Sequence, residues 1–127
     1  MRQPYVLIHH ARPSHQILLH QACNAIGLFN VRITHDKADL DTCLARKRCV
    51  DLLILDHTHD PALLDQLGAC RALLFVGRAD PGRSNLAREA RRQGIWVLAD
   101  LPLPLPMPRW QQALQRIQTV TSPTHAH

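Results

Sequence analysis

The sequence predicts an α/β protein: a doubly wound parallel sheet of five strands with helices on both faces. Three observations point there. Five short apolar runs alternate with stretches whose apolar residues recur at helical spacing, and strands joined through helices lie parallel. The run VDLLILD at 50–56 is almost wholly apolar and ends on an acid, as a strand buried on both faces does. The 127 residues suit one domain and suffice for a core without disulfides or a structural metal.

The elements follow in order. YVLIH (5–9) reads as the first strand. SHQILLHQACNAIGL (14–28) reads as a helix with Ser14 as N-cap, Gly27 at its end, and Leu18, Ala22, Ala25 and Ile26 on one face. NVRITH (30–35) alternates as a half-buried strand does, and Asp36 can cap the helix 37–48, whose buried stripe is Leu40, Cys43 and Leu44. After the strand 50–56, PALLDQLGACR (61–71) is a short helix opened by proline, and ALLFVG (72–77) is a fourth strand. SNLAREARRQ (84–93) is a basic helix ended by Gly94, IWVLA (95–99) is the fifth strand, and residues 107–120 form the last helix, with Trp110, Leu114 and Ile117 at helical spacing. Residues 1–120 make one domain, and 121–127 read as a disordered tail.

Composition narrows the class. Apolar residues are 46% and charged residues 20%, which excludes a disordered chain. No apolar run approaches the roughly 18 residues of a membrane span, and the N-terminal run is too short for a signal peptide. A cytoplasmic protein without membrane contact is expected. Cys23, Cys43, Cys49 and Cys70 show no paired spacing and read as small core residues. The net charge of +5 is uneven: residues 1–66 carry seven basic and seven acidic residues, whereas 67–127 carry eight arginines against three acids. One basic face, suited to an acidic partner or a polyanion, follows.

In such sheets, sites form at the C-terminal ends of the strands, which places His9, His10, Asp56, Gly77, Asp100 and Leu101 on one rim. At this point the chain resembles the receiver domain of two-component response regulators over residues 5–120. VDLLILDHT carries the family's Asp-x-x-x-x-Asp strand, with Asp56 at the phosphorylated position. GIWVLADLP is similar to the family's G-A-x-x-Y-L-x-K-P segment, with Gly94 and Pro102 in place. The resemblance implies a flavodoxin-like (βα)5 fold with strand order 2-1-3-4-5. It also implies that the two acids which hold Mg²⁺ are here His9 and His10, that the conserved hydroxyl is Gly77, and that the invariant lysine is Leu101. Phosphoryl transfer to a carboxylate needs charge neutralised by metal and lysine, and Mg²⁺ takes imidazole poorly. The resemblance therefore implies a pseudo-receiver: a degenerate phosphoacceptor site at His9, His10, Asp56, Gly77, Leu101 and Pro102, no cofactor, and regulation through protein contacts rather than enzymatic activity.

Other readings of the same residues stay open. His9, His10, Asp56, His57 and His59 could bind a transition metal, or a small ligand, at a His-rich rim. An Asp56–imidazole pair would raise the pKa of its histidine and make a pH sensor. Residual phosphorylation at Asp56 is a third reading. GRADPGRS (77–84) has phosphate-loop spacing, but Arg83 stands at its lysine position and it follows the fourth strand. Arg88, Arg91 and Arg92 share one helical side, and with Trp96 and Trp110 they mark an expected partner or homodimer face over 84–120. Nucleic acid is not an expected partner, since aromatic residues are 4% of the chain and no stacking platform is evident. LPLPLPMP (101–108) forbids helix and suggests a rigid loop with a cis Leu101–Pro102 bond.

Overall fold

The structure, a computed structural model, describes residues 3–45, 50–78 and 85–121. Cys49, Arg83 and the rest of the phosphate-loop-like stretch from 79 to 84 lie outside the described residues, as does 122–127 of the tail. The chain runs β1 (Val6–His9), α1 (Pro13–Ala25), β2 (Val31–Ile33), α2 (Lys37–Ala45), β3 (Val50–Leu55), a 3₁₀ helix (Pro61–Ala69), β4 (Cys70–Val76), α3 (Leu86–Arg92), β5 (Val97–Leu101) and α4 (Met107–Thr121). The sheet order is β2-β1-β3-β4-β5 and every neighbouring pair is parallel. This is the flavodoxin-like arrangement expected from the sequence.

Alternation along the strands builds two cores. Leu7, Leu53, Leu55, Leu73 and Phe75 face α2, the 3₁₀ helix and α3. Val6, Ile8, Leu52, Ile54, Leu74 and Val76 face α1 and α4. All six residues of β3 are buried, so the central strand delivers whatever follows it to the middle of the rim. Asp51, fully buried within β3, accepts from the Tyr5 amide at 2.7 Å, which ties the start of β1 to β3.

Several local expectations shift, each for a physical reason. Helix α1 starts at Pro13, with Arg12 as an extended N-cap that makes no side-chain cap bond, so Ser14 is not the cap. It buries Leu19, Ala22 and Cys23, while Leu18 and Ala25 are exposed. With half-buried Ile26, these residues complete an i, i+3, i+4, i+7 stripe, which fits a sheet better than the stripe through Leu18. Burial pushes the Cys23 thiol up to about 12, as an inert core residue requires. Asp36 does cap α2, accepting from the Asp39 amide at 2.8 Å.

Strand β5 begins two residues later than expected because the Ile95 amide closes α3 on the Ala90 carbonyl at 3.0 Å, around Gly94 with φ +83°. The cis bond is Leu103–Pro104, not Leu101–Pro102; Leu101 still belongs to β5, and its carbonyl accepts from the Gly77 amide. Trp110, expected on the partner face, is instead fully buried between α4 and the sheet, and its indole N–H donates to the Ala22 carbonyl at 3.2 Å. The helical spacing that suggested a face was the core stripe of α4. Among the described residues no helix is long and apolar enough to cross a membrane.

Trp110 thus locks α4 to α1. Trp110→Ala should lower unfolding stability by about 3–5 kcal/mol in urea titrations, against less than about 1.5 kcal/mol for Trp96→Ala at a half-exposed position. Equal losses would contradict this placement.

Candidate functional site

The rim at the C-terminal ends of the strands gathers a carboxylate and a group of imidazoles. Asp56 follows β3 directly and is 5% exposed. Its Oδ2 accepts from the Ala11 amide at 3.2 Å and from the Thr58 hydroxyl at 3.0 Å. His10 Nδ1 stands 3.8 Å from the same oxygen. His59 Nε2 lies 2.5 Å from Oδ1, an ion-pair contact across three residues of the chain as it bends at His57 and His59. Burial by itself would push the Asp56 carboxyl up. The close contact and charge of His59, then the charge of His10 and the Thr58 hydroxyl, outweigh it and hold the group well below the usual carboxylate range.

His9 ends β1 and His10 follows it, and both are nearly as buried as Asp56. His9 points to the α2 side, where its Nδ1 lies 2.6 Å from the Thr34 hydroxyl and its ring stacks on His59 at 4.8 Å. His10 points the other way. Its Nδ1 accepts from the Arg12 amide at 3.4 Å, and its ring meets His15 edge-on at 5.0 Å. Burial lowers the pKa of both imidazoles. The charge of His59 and Lys37 adds to this at His9, against Asp56 and Asp36, which oppose it. At His10, Asp56 and the Val76 backbone oppose burial, while His15 and His59 reinforce it. The expected rise of an Asp56-paired histidine is therefore not found at His9 or His10, because desolvation exceeds the attraction.

His57 does something the sequence did not announce. It leaves Asp56, lies on the Phe75 ring at 5.0 Å, and reaches Asp100 Oδ1 with its Nε2 at 2.8 Å. It thereby crosses β4 and joins the ends of β3 and β5. Phe75 and Asp100 are register partners across the β4–β5 pair, which sets the span.

The remaining positions diverge. Gly77 follows β4 directly, with φ +111°. A side chain there would meet no atom within 4 Å, so backbone conformation and not crowding excludes a hydroxyl-bearing residue. Leu101 is 1% exposed and packs in the α1–α4 core. Pro102 is exposed beyond it. His10, His15, Asp56, His57, Thr58 and Gly77 line a cleft of about 280 Å³, together with Arg12 and Arg78. His9 and His59 instead open onto a second cleft of about 400 Å³ with Lys37 and Gln66. The five residues considered for a metal thus share a rim but split between two sides, and no three His, Cys, Asp or Glu side chains among the described residues form a metal-binding group.

Of the basic helix, Arg88, Arg91 and Arg92 are exposed, and Arg92 pairs with Glu89 on its own helix. Arg91 lines a further cleft of about 400 Å³ beside β5, where Arg109 and Arg116 of α4 join it. Sequence reading missed Thr34, Arg109 and Arg116. The last two sit seven residues apart on α4, at two helical turns, which is the signal that could have found them.

The sequence matches no protein-family model and no curated protein. Among solved structures the fold matches clearly. A response regulator from Colwellia psychrerythraea has a TM-score of 0.72 at 16% identity, covering 94% of this chain and 100% of that one. A Burkholderia pseudomallei K96243 protein described as pilus assembly-related gives 0.68 at 20% identity, covering 94% and 92%. The beryllofluoride-activated NtrC receiver domain gives 0.65 at 17% identity, covering 96% and 99%. The likeness is one of fold: the chain has the receiver architecture.

The lowered imidazoles set a pH dependence. Unfolded, His9 and His10 take a proton near their ordinary 6.5; folded, they resist it to lower pH. The unfolded chain therefore binds more protons in that window, and stability is full above about 6.5 and falls as pH drops below it. Asp56 adds a second loss below its ordinary 3.8. Melting temperature should fall between pH 7.5 and 5.5, and a His9→Gln/His10→Gln variant should show a shallower slope. An unchanged slope in the variant would assign the dependence to other histidines.

Proposed function

We propose that the protein is an atypical receiver domain, a pseudo-receiver that regulates by contact with a protein partner or a second copy, without Mg²⁺-dependent phosphorylation of Asp56. The observation that carries this reading is the state of Asp56. Oδ2 accepts from the Ala11 amide and the Thr58 hydroxyl, and His59 stands against Oδ1 in ion-pair contact, with His10 close by. A phosphoacceptor needs a free oxygen aligned with phosphorus and fixed cations to neutralise the incoming oxygens.

The donor set does not suit Mg²⁺. That ion wants hard oxygens in octahedral geometry, and here a single engaged carboxylate is flanked by imidazoles. Imidazole supplies Asp56 with compensation that a metal would otherwise give. At the lysine position, Leu101 is committed to the core, and the backbone at Gly77 does not favour a hydroxyl-bearing side chain. Arg12 and Arg78 line the same cleft and give it positive charge. The working surface in this reading is the face formed by α3, β5 and α4, where the excess arginine lies. Fold neighbours described both as receivers and as pilus assembly-related are compatible with a domain whose output is a protein contact.

Beryllofluoride with Mg²⁺ tests the reading, followed by amide NMR shifts at Ala11, Thr58 and Gly77. No shifts are expected, with acetyl phosphate giving no phosphorylated species. Saturable shifts with beryllofluoride and Mg²⁺ would favour residual phosphorylation, and shifts with Zn²⁺ alone would favour a metal-binding rim.

A further inference from the structure

The cleft beside β5 has a chemistry of its own. β5 is one of the two edge strands of the sheet. The cleft of about 400 Å³ runs along Leu98–Leu101, with Arg91 of α3 on one side and Arg109 and Arg116 of α4 on the other. Arg116 is held in place: Nη1 donates to the Leu98 carbonyl at 3.2 Å, and its guanidinium lies 5.9 Å over the Trp96 ring. Arg91 and Arg109 have no carboxylate partner among the described residues and are exposed.

The cleft's one acid, Asp100, is turned to His57, which occupies one of its oxygens. Three guanidinium groups therefore face a single, already engaged carboxylate. Guanidinium forks match carboxylates in paired hydrogen bonds, and an edge strand accepts an extended backbone.

We infer that this cleft, flanked by Arg91, Arg109 and Arg116 along the edge of β5, docks an extended acidic segment of a protein partner. The inference rests on the contact-based function proposed above and names the chemistry of its partner. A peptide fits better than nucleic acid, because no aromatic side chain among the described residues lines the cleft, and neighbouring Trp96 lies under Arg116.

Trp96 supplies the readout, since the other tryptophan, Trp110, is buried. The intact protein is titrated at low salt with a hexaglutamate peptide, hexauridylate and inorganic phosphate, following tryptophan fluorescence and confirming by calorimetry. Saturable binding of hexaglutamate is expected, weakened more than about ten-fold in Arg91→Glu/Arg109→Glu. Those side chains are exposed, so circular dichroism and melting should match the parent. Asp100→Asn, which removes the competing carboxylate, should tighten binding by about two- to five-fold.

No saturable binding, or binding unchanged in the double variant, overturns the proposal. Hexauridylate binding as tightly as the peptide would assign the cleft to nucleic acid, and phosphate binding as tightly would reduce it to a small-anion site. Self-association in the ultracentrifuge that the double variant abolishes would assign it to a second copy. Peptide binding by a domain that also responds to beryllofluoride would sink the phosphorylation-independent reading and leave the cleft standing. Failure of both peptide and beryllofluoride would do the reverse.

Discussion

A carboxylate at the end of a wholly buried strand has to be compensated, and the rim is organised around that requirement. β3 is buried along its length and runs straight into Asp56. An anion at such depth costs several kcal/mol unless charges or hydrogen bonds replace the lost water. The Ala11 amide, the Thr58 hydroxyl and the His59 imidazole supply the replacement. This fixes the path of the chain on both sides: the β1–α1 turn must bring Ala11 in, and the segment after β3 must fold back to present Thr58 and His59. His9 and His10 are then squeezed between that anion and the core. Burial keeps them neutral more readily than the anion charges them.

The same packing links the rim to the opposite edge of the sheet. His57 turns away from Asp56, lies along Phe75 and meets Asp100. Asp100 in turn borders the arginine-flanked cleft. Two clefts thus share a histidine–aspartate bond across β4. In the proposed reading, the side of the domain that meets a partner carries a carboxylate held by the histidine that follows Asp56.

Much of this was legible in the sequence, and the limits have physical causes. The strands were visible because a sheet covered on both faces demands continuous apolar runs, as at 50–55 and 72–76. Strand ends followed from the first polar residues, which put His9, His10, Asp56 and Gly77 on one rim. What failed was direction. Leu18 and Leu19 offer two competing stripes, and only docking on the sheet decides between them. Trp110 has the same spacing whether its stripe faces core or partner. The strand positions of Asp100 and His57 do not show that a ring can span β4, because that depends on Phe75 as a platform. The arginine cleft was half visible: Arg91 was found, while its partners lie on α4, brought close by β5 and not by sequence.

The central claim is that His59, the Thr58 hydroxyl and the Ala11 amide compensate Asp56 in place of a metal. Stability of Asp56→Asn tests it most directly. In a pocket of clustered acids, removing one carboxylate relieves repulsion and stabilises the fold. Here the carboxylate is attracted by its neighbours, so unfolding at pH 7 without added metal should show a loss of about 1–3 kcal/mol. Stability equal to or above that of the parent protein would contradict the account.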